Sequence, residues 1–135
     1  MNVKRYYTPV EANRAIAHIE PLVRGLSDRA EVLRGLGPSG GGTQPPVDTL
    51  VDPQYFRELM ALSEDLQRLK KYGCMLKDLE SGIVDFPARL KGREVLLCWR
   101  LGEDSISHWH EVDAGFRGRQ PIDAVQCFEG DGSEA

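Results

Sequence analysis

Cysteine is scarce in this 135-residue chain: Cys74, Cys98 and Cys127 are an odd number, widely spaced, with no CxxC pair. That excludes a zinc ribbon and a thioredoxin-type redox pair, and fits reduced thiols inside a cell. No run approaches the roughly 18 apolar residues of a membrane span. The opening MNVKRYYTPVEAN lacks the apolar centre of a secretory signal. A basic excess is missing as well. The 17 Lys and Arg stand against 21 Asp and Glu, a formal net charge of −4, so general nucleic-acid binding is not expected. These absences lead to the expectation of a cytoplasmic protein with no membrane partner.

An apolar share of 41% is enough for one core, and the length fits one domain. The expected organisation is a single α+β domain over residues 1–127. Within it, residues 38–51 form a flexible Gly/Pro-rich linker between helices, and residues 128–135 form a disordered acidic tail. The linker segment GPSGGGTQPPVDTLV is glycine-rich, but no strand precedes it and no GKS or GKT follows. It is therefore not read as a phosphate-binding loop.

Thr8-Pro9-Val10-Glu11 starts a helix. Thr8 can cap the first turn, Pro9 suits the first helical position, and Glu11 can complete a capping box. Ala12, Ile16, Ile19, Val23, Leu26, Ala30 and Leu33 follow at alternating spacings of four and three, the period of a helix lying along another helix. Pro21 falls inside this pattern, and a kink is expected there. Asp52-Pro53 starts a second helix. Tyr55, Leu59, Leu62, Leu66 and Leu69 repeat the period, Phe56 and Met60 widen the stripe, and Gly73 stops it. The two helices are expected to form an antiparallel hairpin.

The C-terminal half reads as three antiparallel strands. Residues 83–86, followed by Pro87, read as an edge strand. Residues 94–101 form the strongest strand, with Val95, Leu97, Trp99 and Leu101 on one face and Leu96, Cys98 and Arg100 on the other. Residues 106–112 return as the third. Asp113 to Pro121 is too rich in Gly and Pro for a regular element. The expected fold is an antiparallel hairpin of two long helices packed with a three-stranded antiparallel meander. The stripes are wider than one helical partner can cover, so a homodimer through the helices is expected.

The segments YYTPVEAN, KDLESGIVDFPARLKGREVLLCWRLGE and WHEVDAGFRGRQPI together resemble the bacterial family called domain of unknown function 2203. The resemblance covers nearly the whole chain apart from the linker and the tail. It implies a small bacterial cytosolic protein, and it brings no assigned activity or site residue with it. The family pattern of Trp-His followed by an acidic or polar residue matches Trp109, His110 and Glu111, while His108 is not expected from it as a rule.

Two constellations can carry chemistry. His108 and His110 are two apart on a strand, so they share a face. With Asp113 they form a candidate two-histidine, one-carboxylate set for a divalent metal ion. Arg100, Glu103, His110, Asp113 and Arg119 form a candidate ligand-binding set, with Asp85 in the same network. Its arginines can offer bidentate forks to a small anion, or can end on protein carboxylates and merely lock the segment. Trp99 and Trp109 are expected to wall this site. No catalytic-nucleophile signature is present. The favoured reading is a non-catalytic, self-associating interaction module. The alternative is a small-anion or metal-binding protein, with a metal-dependent enzyme as its extreme form.

Overall fold

A computed structural model describes residues 5–36, 53–123 and 126–129. The expected linker at residues 38–51 lies outside the described residues. Helix α1 spans Pro9–Leu36 and helix α2 spans Pro53–Lys70. The strands are β1 (Met75–Asp78), β2 (Ile83–Leu90), β3 (Arg93–Arg100), β4 (His108–Glu111), β5 (Gln120–Pro121) and β6 (Phe128–Glu129). The class is α+β: the described residues form two α-helices and one antiparallel sheet, as the sequence implies.

The capping box at the start of α1 forms in full. The Glu11 amide donates to Thr8 Oγ1 at 3.2 Å, and the Thr8 amide donates to Glu11 Oε1 at 2.9 Å. The helix runs through Pro21, which stands on its exposed side. Ala12, Ile16, Ile19, Val23, Leu26 and Ala30 are buried, the stripe expected from their spacing. They meet Val84, Phe86, Ala88, Val95, Leu97, Trp99 and Trp109 from one face of the sheet in a single core. Helix α2 packs on α1 through Leu62, Leu66 and Leu69, and only Leu69 is fully buried. Leu59, expected in that buried stripe, is exposed together with Phe56 and Met60. No helix among the described residues is long and apolar enough to cross a membrane.

The sheet is larger than the expected meander. Its path runs β1-β2-β3-β4-β5, with β6 also pairing with β2. The strand read as an edge, residues 83–86, extends to Leu90 and is flanked on both sides. On one side lies β3. On the other lie β1 at Val84 and Asp85, then the Tyr7 amide bonded to the Pro87 carbonyl at 2.6 Å, then β6 at Arg89 and Leu90. A strand residue's N–H and C=O point to the same side, so the donor Pro87 lacks would have faced this single-residue contact, where only an acceptor is needed. Proline is thereby tolerated in a two-sided strand.

Two further expectations are corrected by the same pairing. Residues 113–121 contain a 3₁₀ turn at Phe116–Gly118 and the short strand β5 against β4. Phe128 and Glu129, expected in the disordered tail, form β6, and Phe128 is buried with its ring 6.2 Å from that of Trp109. Burying one aromatic ring ties this segment to the core.

Candidate functional site

Pairing register decides what gathers on the sheet face away from the helices. Asp85 lies opposite Cys98, and Leu96 lies opposite His110. Because side chains alternate along a strand, Asp85, Leu96, Cys98 and His110 share one face while Trp99 and Trp109 share the other. The two tryptophans therefore belong to the helical core, not to the walls of a site. Asp85, Cys98 and His110 are all fully buried. One ligating atom from each lies within 4.8 Å of the others.

His110 Nδ1 stands 2.7 Å from the carbonyl oxygen of Glu111, and Nε2 stands 3.0 Å from Asp85 Oδ2. A carbonyl oxygen only accepts, so Nδ1 carries a proton. The Nε2–Oδ2 contact is then attractive only with one proton between two acceptors, on whichever atom it sits. The other oxygen, Asp85 Oδ1, is buried with no N–H or O–H partner among the described residues. Burial first, and the Asp85 carboxylate second, push the Cys98 thiol up to about 12. Cys98 is thus a protonated thiol at neutral pH and not an activated nucleophile.

A cavity of about 310 Å³ opens over this floor, lined by Lys77, Asp78, Ile83, Asp85, His110, Val112, Gly115 and Phe116. Lys77 and Asp78 both reach it because the β1–β2 register slips between Leu76 and Asp78. The bulge leaves Leu76 on the core face opposite Val84 and sets Asp78 opposite Ile83, on the cavity face. The roof comes from the 3₁₀ turn. Arg119 holds it: its guanidinium donates to the Cys98 carbonyl at 3.1 Å and to Glu103 Oε1 at 2.8 Å, and it stacks over the Phe116 ring at 4.5 Å.

The sequence-derived candidates divide between two clusters. Glu103 and Arg119 pair with each other, and the Arg100 amide also donates to Glu103 Oε1 at 2.8 Å. Partial burial works to raise the Glu103 pKa, but Arg119 and the Arg100 amide outweigh it and hold the carboxyl below its ordinary range. Arg119 Nη2 ends on protein oxygens, and this ties the turn to β3 and to Glu103. The Arg100 side chain is exposed at the end of β3, two residues beyond the last β3–β4 pair, Cys98 with His108. Its positive charge helps lower the Asp78 pKa, after the Ser81 hydroxyl and amide.

His108 and His110 do share a face, as expected, since their partners Cys98 and Leu96 are two apart. The structure does not bring them to one point with Asp113. His108 Nδ1 is taken up by Ser107 Oγ at 2.8 Å, and Asp113 is an exposed residue of the turn after β4. Among the described residues the His/Cys/Asp/Glu group fit to hold a metal is Asp85, Cys98 and His110. Cys98 and Lys77 were missed from the sequence. A signal existed for Asp85 and Cys98, since each stands in a run that is apolar on both faces.

Residues 5–122 match the family described as uncharacterized conserved protein (DUF2203), and the chain belongs to that family. No curated protein and no solved structure matches it.

Proposed function

We propose that the protein is a small binding protein whose site is the cavity over Asp85, Cys98 and His110. The observation that carries this reading is a fully buried carboxylate at the floor of a cavity, Asp85. Among the described residues its Oδ1 has no N–H or O–H partner, and the carboxylate meets only His110 and the weakly donating Cys98 thiol. Leaving such a group unsatisfied costs about 1–3 kcal/mol, or more when it is charged. A chain under selection for stability alone would fill the space or pair the oxygen. Apolar lining from Ile83, Val112 and Phe116 beside a few converging polar groups is the usual make-up of a small-ligand site. The reading is one of binding, and Cys98 enters it as a protonated thiol.

Val112 offers the test. It lines the cavity and is 55% exposed, so Val112→Trp can block the opening without disturbing the core. In a thermal-shift screen of metals, small anions and metabolite-sized organic acids, at least one class is expected to stabilise the native protein and to lose its effect in Val112→Trp. A screen with no such ligand would overturn the reading.

Self-association is a second reading, supported by a separate observation. Phe56, Leu59 and Met60 are 57%, 43% and 48% exposed, at i, i+3 and i+4 on the outer face of α2. Residues at that spacing form one patch. A second copy of the chain suits it: an antiparallel α2–α2 contact centred near Met60 brings Arg57 of one copy towards Glu64 of the other. Such an isologous contact is self-complementary in charge.

A further inference from the structure

We propose that Asp85, Cys98 and His110 form a binding site for a divalent transition-metal ion of the zinc class. The ligating atoms would be an Asp85 carboxylate oxygen, Cys98 Sγ and His110 Nε2, with a fourth position open to the cavity. The inference rests on the reading of that cavity as a binding site and names its ligand.

Geometry supplies the first argument. The three ligating atoms already lie within 4.8 Å of one another in a folded, buried setting. Metal–ligand lengths of about 2.0–2.3 Å place tetrahedral ligands about 3.5 Å apart, so closure takes only small side-chain rotations. Asp85 and Cys98 are held by their cross-strand pairing, and His110 by its position in β4. The Nδ1 proton of His110 is committed to the Glu111 carbonyl. That bond fixes the tautomer that leaves Nε2 as the ligating nitrogen, the outer-shell arrangement typical of metal-bound histidine.

Charge supplies the second. Without metal, the set holds one proton between His110 and Asp85 and one on the Cys98 thiol, and its net charge is zero. When a divalent ion binds, both protons leave to solvent. Neutral imidazole, carboxylate and thiolate remain, and the net charge is again zero. A buried site resists any change in net charge, because uncompensated charge is costly away from water. The exchange therefore favours a divalent ion over a monovalent or trivalent one. The thiol is deprotonated as it coordinates, and the protons released make binding tighten as pH rises.

Ligand type supplies the third. One sulfur and one imidazole nitrogen select against calcium and magnesium, which take oxygen ligands. Together with a carboxylate they suit zinc, with cobalt(II) as a visible stand-in. Three protein ligands and one open position distinguish the site from a closed structural centre.

The test uses the full chain, stripped of metal and carrying no histidine tag, titrated with Co²⁺. Wild type is expected to bind one ion per chain and to develop a thiolate-to-cobalt charge-transfer band. Cys127→Ser, which removes the exposed thiol, should keep the band. Cys98→Ser should lose it, as should His110→Gln. Zn²⁺ should bleach it in wild type. No band in wild type, or a band lost in Cys127→Ser and kept in Cys98→Ser, would overturn the inference. Cys74→Ala should keep the band as well, so wild type, Cys127→Ser and Cys74→Ala decide this by elimination among the three thiols even if a Cys98 or His110 variant fails to fold. Failure here alongside ligands that still depend on an unblocked Val112 would leave the cavity reading standing. Failure of both would remove both.

Discussion

Glu103 shows how a single side chain can shape a site it does not enter. It accepts from the Arg119 guanidinium and the Arg100 amide, and Arg119 in turn carries Phe116 into the cavity roof. Its carboxyl is held below its ordinary range, so its contribution is of the depressed-acid kind. That stability is fully present above the unfolded-state value and is lost as pH falls through the lower folded-state value. Chemical unfolding followed from neutral pH down through the carboxylate range should show a loss of stability that is shallower in Glu103→Gln. An unchanged slope would mean that Glu103 is not coupled to folding. Cys98 sets the opposite example: burial and Asp85 push its thiol up to about 12, so alkylating reagents at neutral pH should modify exposed Cys127 first.

At the scale of elements, the junction between the sheet and α1 turns on Gly82, which opens β2. It has φ 72°, and a Cβ there would meet Leu101 Cβ at 2.6 Å and Val23 Cγ1 at 3.1 Å. Val23 belongs to α1, so the close approach of helix to strand requires the absence of a side chain. Gly82→Ala is expected to cost on the order of 1–3 kcal/mol from backbone strain, with the steric overlap adding to it. Thermal unfolding checks this, and a variant as stable as wild type would show the approach to be loose. The helices were legible in the sequence because caps and period are local: Thr8, Glu11 and the four-three stripe report on neighbours one turn away. The strands β5 and β6 were not, because each is two residues long and owes its existence to pairing, β5 with β4 across an irregular turn and β6 with β2 about 40 residues away. The same limit explains the site. His110 was legible as a polar residue of a strand, and the shared face of His108 and His110 followed from alternation alone. Which of them would meet Asp85 and Cys98 depended on the β2–β3–β4 register, and the position of Lys77 and Asp78 depended on a bulge. Neither is encoded in a local pattern.

The whole molecule is a helix layer laid on one face of a sheet, with the other face turned into a cavity floor by one irregular segment. Helix α2 rides on α1 at the outside, and this leaves the Phe56, Leu59 and Met60 patch uncovered. Sedimentation is expected to find wild type heavier than its 15.1 kDa chain mass at micromolar concentration. Phe56→Glu with Met60→Glu should shift it to monomer without unfolding it. If wild type is already monomeric there, α2 does not mediate self-association.

The central claim is that the buried His110–Asp85 pair is kept for binding and not for stability, and the most direct measurement compares one variant with two. Removing a single partner, as in His110→Ala, strands a buried acid and should cost about 3–5 kcal/mol in urea unfolding. Replacing both, as Asp85→Val with His110→Leu, removes the charges together, and the adjoining cavity gives the added methyl groups room. Buried ion pairs exchanged for apolar residues of similar size are often neutral, or more stable by about 1–4 kcal/mol. The double variant is therefore expected to unfold at or above the wild-type urea midpoint while losing all ligand-induced stabilisation. A double variant destabilised as much as His110→Ala would contradict the account, because the pair would then be a structural lock.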